Sequence, residues 1–404
     1  MDQAAEADGG AAQGSGFEVL IAFLRLGLTS FGGPIAHIGY FREAFVVRRR
    51  WLGEAAFADL VALCQFLPGP ASSQVGFAIG LTRAGPLGAL AAWAGFTLPS
   101  AALMTAFALG SASSSGPLGQ GLAHGLKLVA VAVVAQALLG MARSLTPDAR
   151  RAGIAAAALV MVTLAPAAFG QIGAIGLGAL VGLWLCRGEA PAAISDSLTF
   201  RVSRTAGLVA LTLFLVLLVG ALLLVGAPGE KPLAEFAAVC RSGALVFGGG
   251  HVVLPLLKDA LVTPGYVDQG RFLAGYGAAQ AVPGPLFSFA AYLGAIMGGG
   301  HPLAGAMLGL VAIFLPGLLI LMAALPFWSA LRRRPAAQAA MRGANAAVVG
   351  ILAAALYDPV WTSAVRGRAD FAAVVVGFML LTGLRAPPLV TVALGAGFGL
   401  LTAG

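Results

Sequence analysis

The chain is 404 residues long, 59% apolar and only 10% charged, with 57 glycines and a mean hydropathy of +0.93. A water-soluble globule carries about 25% charged residues, so this chain has too few to cover its own surface, and a soluble enzyme or nucleic-acid-binding domain is excluded. The net charge of +8 does not restore a nucleic-acid reading, because the Lys and Arg residues fall in short clusters between apolar runs, as orientation signals do.

Residues 1–16 are small and acidic, unlike the cationic start of a secretory signal, and read as a disordered tail. Apolar runs follow at 17–46, 56–82, 86–110, 121–143, 152–167, 171–186, 205–226, 234–262, 272–297, 303–327, 338–357, 370–384 and 387–403. None alternates with period two, which excludes a closed barrel. In lipid every backbone amide needs an internal partner, so the runs are helices. The expected fold is an all-α polytopic membrane protein of about 10–13 membrane segments. The three cysteines, Cys64, Cys186 and Cys240, are scattered and odd in number, and suggest neither a disulfide framework nor a thiolate metal site.

An internal repeat organises the runs. Arg25 to Pro34 (RLGLTSFGGP) aligns with Arg241 to Gly250 (RSGALVFGGG), Gln65 to Pro70 (QFLPGP) with Gln280 to Pro285 (QAVPGP), Pro99 with Pro316, and Gly125-Leu-Lys127 with Gly343-Ala-Asn345. The order is the same and the offset nearly constant. This divides the chain into a first repeat at 17–187, a linker at 188–230 containing the transmembrane helix 205–226, and a second repeat at 231–404. An odd number of crossings separates the repeats, so the second is expected upside down relative to the first. Inverted repeats with discontinuous helices meeting near the midplane are the recurring plan of secondary transporters. Whether 17–46 and 56–82 and their counterparts are re-entrant hairpins or full crossings stays open. The hairpin arrangement places more Arg and Lys on the cytoplasmic face, with the N-terminus cytoplasmic.

Glycine and proline interrupt the apolar runs at Phe31-Gly32-Gly33-Pro34, Pro68-Gly69-Pro70, Phe247-Gly248-Gly249-Gly250 and Pro283-Gly284-Pro285. Such breaks survive at membrane depth only where they are buried in protein or line a water-filled cavity, and they are the expected gating elements. A half-helix that starts after a break directs free amides at the midplane, where they suit an anion. Arg25 and Arg241 precede equivalent breaks. A guanidinium inside the membrane is a functional hypothesis by default, and two related forks suit a tetrahedral dianion; an Arg reaching for an interface or for loose carbonyls would look the same. Further binding candidates are Gly32, Gly33, Gln65, Ser72, Ser73, Lys127, Gly248, Gly249, Gln280, Ser288 and Asn345. For the serines, helix capping is an equal reading, and Lys127 could simply snorkel. His37, His251, Glu43 and Asp59 are candidates for proton coupling. No HExxH, GxSxG or Walker loop occurs. No enzyme activity, metal or cofactor is therefore expected, and the energy source is an ion or substrate gradient.

The paired motifs Phe31-Gly-Gly-Pro34 with His37, Gln65 to Pro70, Phe247 to Gly250 and Gln280 to Pro285 resemble the chromate ion transporter family in its long two-domain form, over about 17–403. The resemblance implies export of chromate, a sulfate-like dianion, across the bacterial inner membrane, driven by the proton-motive force or by anion exchange, with chromate resistance as the result. It also implies functional roles for Arg25, Gly32, Gly33, Pro34, His37, Gln65, Pro68, Gly69, Pro70, Arg241, Gly248, Gly249, Gln280, Pro283, Gly284 and Pro285. A transporter of sulfate or another oxyanion is the nearest alternative, and an anion channel a more distant one. A second copy of the chain is a candidate partner. Gly250 stands where the first repeat has Pro34, so the two halves are expected to be unequal.

Overall fold

A computed structural model describes residues 14–31, 33–112, 116–164, 167–187, 202–224, 231–247, 250–331 and 334–402. Gly32, Gly248 and Gly249, expected at the site, lie outside the described residues. In the first half, α1 (Gly16–Thr29), α2 (Gly33–Phe41), a π-helical turn (Arg42–Arg48) and α3 (Glu54–Phe66) lead to α4 (Ala71–Ala112), α5 (Pro117–Leu145), α6 (Ala149–Leu164) and α7 (Ala167–Leu185). After α8 (Arg204–Leu223) the second half runs α9 (Lys231–Ala244), a 3₁₀ turn, α10 (Val253–Leu257), a π turn (Lys258–Val262), α11 (Gln269–Ala279), a 3₁₀ turn (Leu286–Ser288), α12 (Phe289–Met297) and α13 (Pro302–Ala324). It closes with the short α14 (Trp328–Leu331), α15 (Pro335–Ala355), a π turn (Leu356–Trp361), α16 (Thr362–Ala364), α17 (Arg368–Thr382) and α18 (Pro388–Leu401). The described residues are helical throughout their regular structure. Among the described residues, five helices are long and apolar enough to cross a membrane.

The breaks seen in the sequence set the lengths of the other helices. α4 is not one rod: Ala84 (φ −141°, ψ 26°) and Gly85 (φ 64°) reverse it. Gly80 and Gly88 on its two arms consequently touch, each filling the place where the other's Cβ would stand. The first arm, ending near Arg83, is about 20 Å long at 1.5 Å per residue, short of the ~30 Å hydrocarbon core. α12 and α13 form the corresponding hairpin, with Gly294 against Gly305. α1 is capped by Ser15, whose hydroxyl accepts from the Glu18 amide at 3.1 Å, and Glu18 pairs with Arg83 at 3.2 Å beside the reversal. α1 turns Val19, Phe23 and Gly27 into α4, close enough that a Cβ on Gly95 would lie 2.8 Å from the Leu20 carbonyl oxygen.

The two halves exchange their last helices. α6 and α7 of the first half pack on α15 of the second, while α17 and α18 of the second pack on α5 of the first. The crossings use equivalent glycines: Gly343 meets Gly178 and Gly182, and Gly125 meets Gly395 and Gly399. Small residues let the backbones approach, which is how helices gain van der Waals contact where lipid supplies no hydrophobic drive. The exchange is reciprocal. Two apolar cores result, one built on α1 to α4 and a larger one on α5, α11 to α13 and α15. The linker helix α8 lies against α9 and α13 and leaves Leu208, Val209, Leu213, Val216 and Leu223 exposed, an apolar flank suited to lipid.

Candidate functional site

The four breaks meet in crossed pairs. The Gly69 amide of the first Pro-Gly-Pro donates to the Val246 carbonyl at 2.7 Å, and the Gly284 amide of the second donates to the Ser30 carbonyl at 2.9 Å. Each Pro-Gly-Pro turn is thus tied to the chain just before the glycine break of the other half. Both glycines hold positive φ, 123° and 96°, a region closed to most L-residues. Both also lie against the proline kinks of the long helices: a Cβ on Gly69 would stand 2.9 Å from the Gly317 Cα, and one on Gly284 would stand 3.0 Å from the Ser100 hydroxyl. Gly250 faces Pro34, Phe287 and Leu286, so the residue that departs from the first repeat sits where the two glycine breaks come together.

Polar side chains gather around this crossing. Gln74, fully buried, donates from Nε2 to the Pro68 carbonyl at 2.9 Å and to the Gly317 carbonyl at 2.7 Å. His37, 1% exposed, has its Nδ1 3.4 Å from the Ser72 hydroxyl and its ring edge-on to Phe96. His251 Nδ1 lies 2.8 Å from the Tyr276 hydroxyl. Among the described residues Ser30 Oγ, Ser73 Oγ, Gln74 Oε1 and Thr97 Oγ1 are buried without a partner. A polar atom left unpaired in an apolar interior costs several kcal/mol, so a cluster of them makes this crossing a candidate place for water or a polar ligand. A Cβ on Gly33 would meet nothing within 4 Å, which leaves the backbone of that break open to approach.

The expected residues divide. Gly33, Pro34, His37, Pro68, Gly69, Pro70, Ser72, Ser73, Gly250, His251, Gln280, Pro283, Gly284, Pro285 and the buried Ser288 belong to the crossing or lie within about a turn of it; Phe31 and Phe247 are half-buried beside it. Arg25 departs from the expectation. It is exposed, with Ile21, Leu24 and Leu28 around it, because the Phe23 and Gly27 face of α1 is the one that fits α4 and Arg25 is on the opposite side. Gln65 is likewise exposed, unlike its repeat partner Gln280. Glu43 is exposed and pairs with Arg48 at 2.8 Å, and Asp59 accepts from Trp328 Nε1 at 3.1 Å across the two halves. Lys127 is half-buried with Nζ against Gly270 at the start of α11. Asn345, its repeat partner, keeps a buried, unpartnered Oδ1.

Arg241 has a different setting from Arg25. It lines a small pocket with Gln171, Ser242, Leu245, Leu256 and Asp259. Sequence reading missed Ser30, Gln74, Thr97, Ser100, Gln171, Asp259 and Tyr276. For Asp259 a signal existed: Lys258-Asp259-Ala260 repeats Arg42-Glu43-Ala44 at the offset that joins Arg241 to Arg25.

An all-helical, multi-pass membrane protein with a polar crossing of broken helices belongs to the class of membrane transporters rather than enzymes. The chain is a member of the chromate transporter family, whose model matches residues 17–183 and again 233–400. It is similar to the chromate transport protein of Pseudomonas aeruginosa, 27% identical over 368 residues, covering 86% of this chain and 82% of that one. It is also similar to an uncharacterised transporter of Methanocaldococcus jannaschii, at 25% over 343 residues with 84% and 83% covered, and to the chromate transport protein of Cupriavidus metallidurans, at 25% over 341 residues with 84% and 81% covered. No solved structure matches it.

Proposed function

We propose that this protein is a secondary active transporter that exports chromate across the bacterial inner membrane and so confers resistance, driven by the proton-motive force or by exchange for another anion. The family match in both halves supports the reading, and the observation that carries it is the crossed pair of breaks, Gly69 to Val246 and Gly284 to Ser30. Discontinuous helices meeting at the interface of inverted repeats are where transporters of this plan bind substrate. The dianion is held by free amides at the breaks and by hydroxyl and amide groups drawn from Ser30, Ser73 and Gln280, with Arg241 supplying a guanidinium from α9. Opposed orientation of the halves in the membrane lets one rock against the other around this fixed centre.

Chromate flux into proteoliposomes with imposed pH and sulfate gradients tests the proposal. Saturable flux that responds to either gradient is expected. Sulfate flux without chromate flux would move the substrate to the sulfate alternative, and flux that never saturates would make the protein a channel.

A further inference from the structure

Arg241 stands five residues before Val246 of the crossing, and with Asp259 it forms a half-buried pair of opposite charge in the second half. Asp259 lies in the π turn Lys258–Val262, an arrangement common at functional sites. Two spaces meet at it. On one side is a cleft of about 580 Å³ between α6, α15 and the π turns, lined by Gln171, Lys258, Asp259, Asp358 and Thr362. On the other is the small pocket that holds Arg241 and Ser242. Gln171 and Asp259 line both, so the Asp259 carboxylate faces the cleft as well as the space around Arg241.

The charges around Asp259 can be counted. Lys258 beside it and Arg241 from α9 are the charged groups that act on it, while α7 and α10, which also pack on this turn, carry no titratable residue. α11 contributes Tyr276, which is turned to His251, and Arg271, whose amide caps on Asp268. Lys258 is 3.8 Å from Asp358, so those two offset each other. Gln171, 6% exposed, donates its amide to the Pro255 carbonyl and to the Asp259 carboxylate. Among the described residues Arg241 has no hydrogen-bond or ion-pair partner; Asp259 is the charge that balances it. In the first half the equivalent Glu43 is exposed and paired with Arg48, so only the second half has this device.

We infer that Asp259 is the proton-coupling carboxylate of this transporter, and that a proton on Asp259 and an oxyanion on Arg241 bind together. A dianion on Arg241 with Asp259 ionised leaves two uncompensated negative charges in a half-buried pocket; transfer of one proton from solution to a carboxylate oxygen lowers that to one and removes the repulsion between the carboxylate and the anion. By linkage the two ligands raise each other's affinity by the same factor. The proton therefore accompanies the anion instead of moving against it, which favours anion exchange over proton antiport as the source of energy. This inference rests on the transport reading above.

The test uses the full chain in proteoliposomes containing a trapped pH indicator, with chromate added outside in mildly alkaline buffer. Wild type is expected to carry protons inward with chromate, and its uptake at subsaturating chromate is expected to fall by up to about tenfold per pH unit, the limit for one linked proton. Asp259→Asn, neutral like the protonated carboxyl, is expected to lose the accompanying proton and the pH dependence of whatever chromate it moves, and Asp259→Glu to retain both. The chromate ion's own protonation is common to all three proteins and cancels in their ratios. Chromate entry that makes the lumen alkaline, or Asp259→Asn with wild-type proton movement, overturns the inference. If Asp259→Asn does not reach the membrane, Asp259→Glu and the sign of wild-type proton movement still decide between proton co-movement and proton antiport. Absence of chromate flux in wild type would instead overturn the transport reading.

Discussion

Replacement of Gln74 by Ala distinguishes a helix-break scaffold from a substrate ligand. Both hydrogens of the Gln74 amide are committed, one to the Pro68 carbonyl at 2.9 Å and one to the Gly317 carbonyl at 2.7 Å. The amide orientation follows from this network, since the opposite flip would set an oxygen against two carbonyls. What remains for a ligand is Oε1, an acceptor that repels oxyanions, so Gln74 positions the break and does not bind substrate. Truncation strands two carbonyls in a water-poor interior at roughly 1–3 kcal/mol each, about 2–4 kcal/mol in total once the neighbours relax. Heating in detergent followed by size-exclusion chromatography should show an earlier loss of the monodisperse peak, and the chromate concentration for half-maximal flux in surviving protein should shift little. Unchanged heat stability with a large rise in that concentration would refute the reasoning and make Gln74 a ligand.

Three further outcomes follow from the same geometry. Gly343→Ala places a methyl on the Gly178 backbone, and Gly125→Ala places one on that of Gly395; each should lose about 1–3 kcal/mol through overpacking, to a similar degree, whereas Gly176→Ala, with nothing within 4 Å, should match wild type in the same heating assay. Arg241→Ala should abolish chromate flux in protein that reaches the membrane, while Arg25→Ala, on the exposed flank of α1, should retain most of it; equal loss in both would restore the symmetric pair expected from the sequence. Trp328→Phe removes the hydrogen bond from Nε1 to Asp59 and should cost about 1 kcal/mol, seen as a small drop in heat stability that Asp59→Asn, which still accepts, does not reproduce.

Much of this was legible in the sequence because it depends on residue types with one physical meaning. An excess of apolar residues over charge requires a membrane, the lack of alternation requires helices, and Pro-Gly-Pro inside an apolar run requires a break wherever the chain goes. The repeat offsets were sufficient to pair Gly69 with Gly284 and Pro99 with Pro316. Which side of a helix is buried was not legible. In a soluble protein an apolar stripe marks the packed face, but here lipid is as apolar as the protein interior, so the flanks of α1 look alike in sequence. Tertiary packing turned Phe23 and Gly27 inward and left Arg25 exposed. It likewise exchanged α6 and α7 for α17 and α18 between the halves, since those contacts join residues about 160 to 280 positions apart through small residues that carry no pairing code. The same packing brought Gln171 to Asp259 and made one copy of a repeated acidic residue half-buried while its twin stayed exposed. Composition and spacing determined the class of molecule and the places where its helices break, and only the packing of those pieces decided which charges face one another.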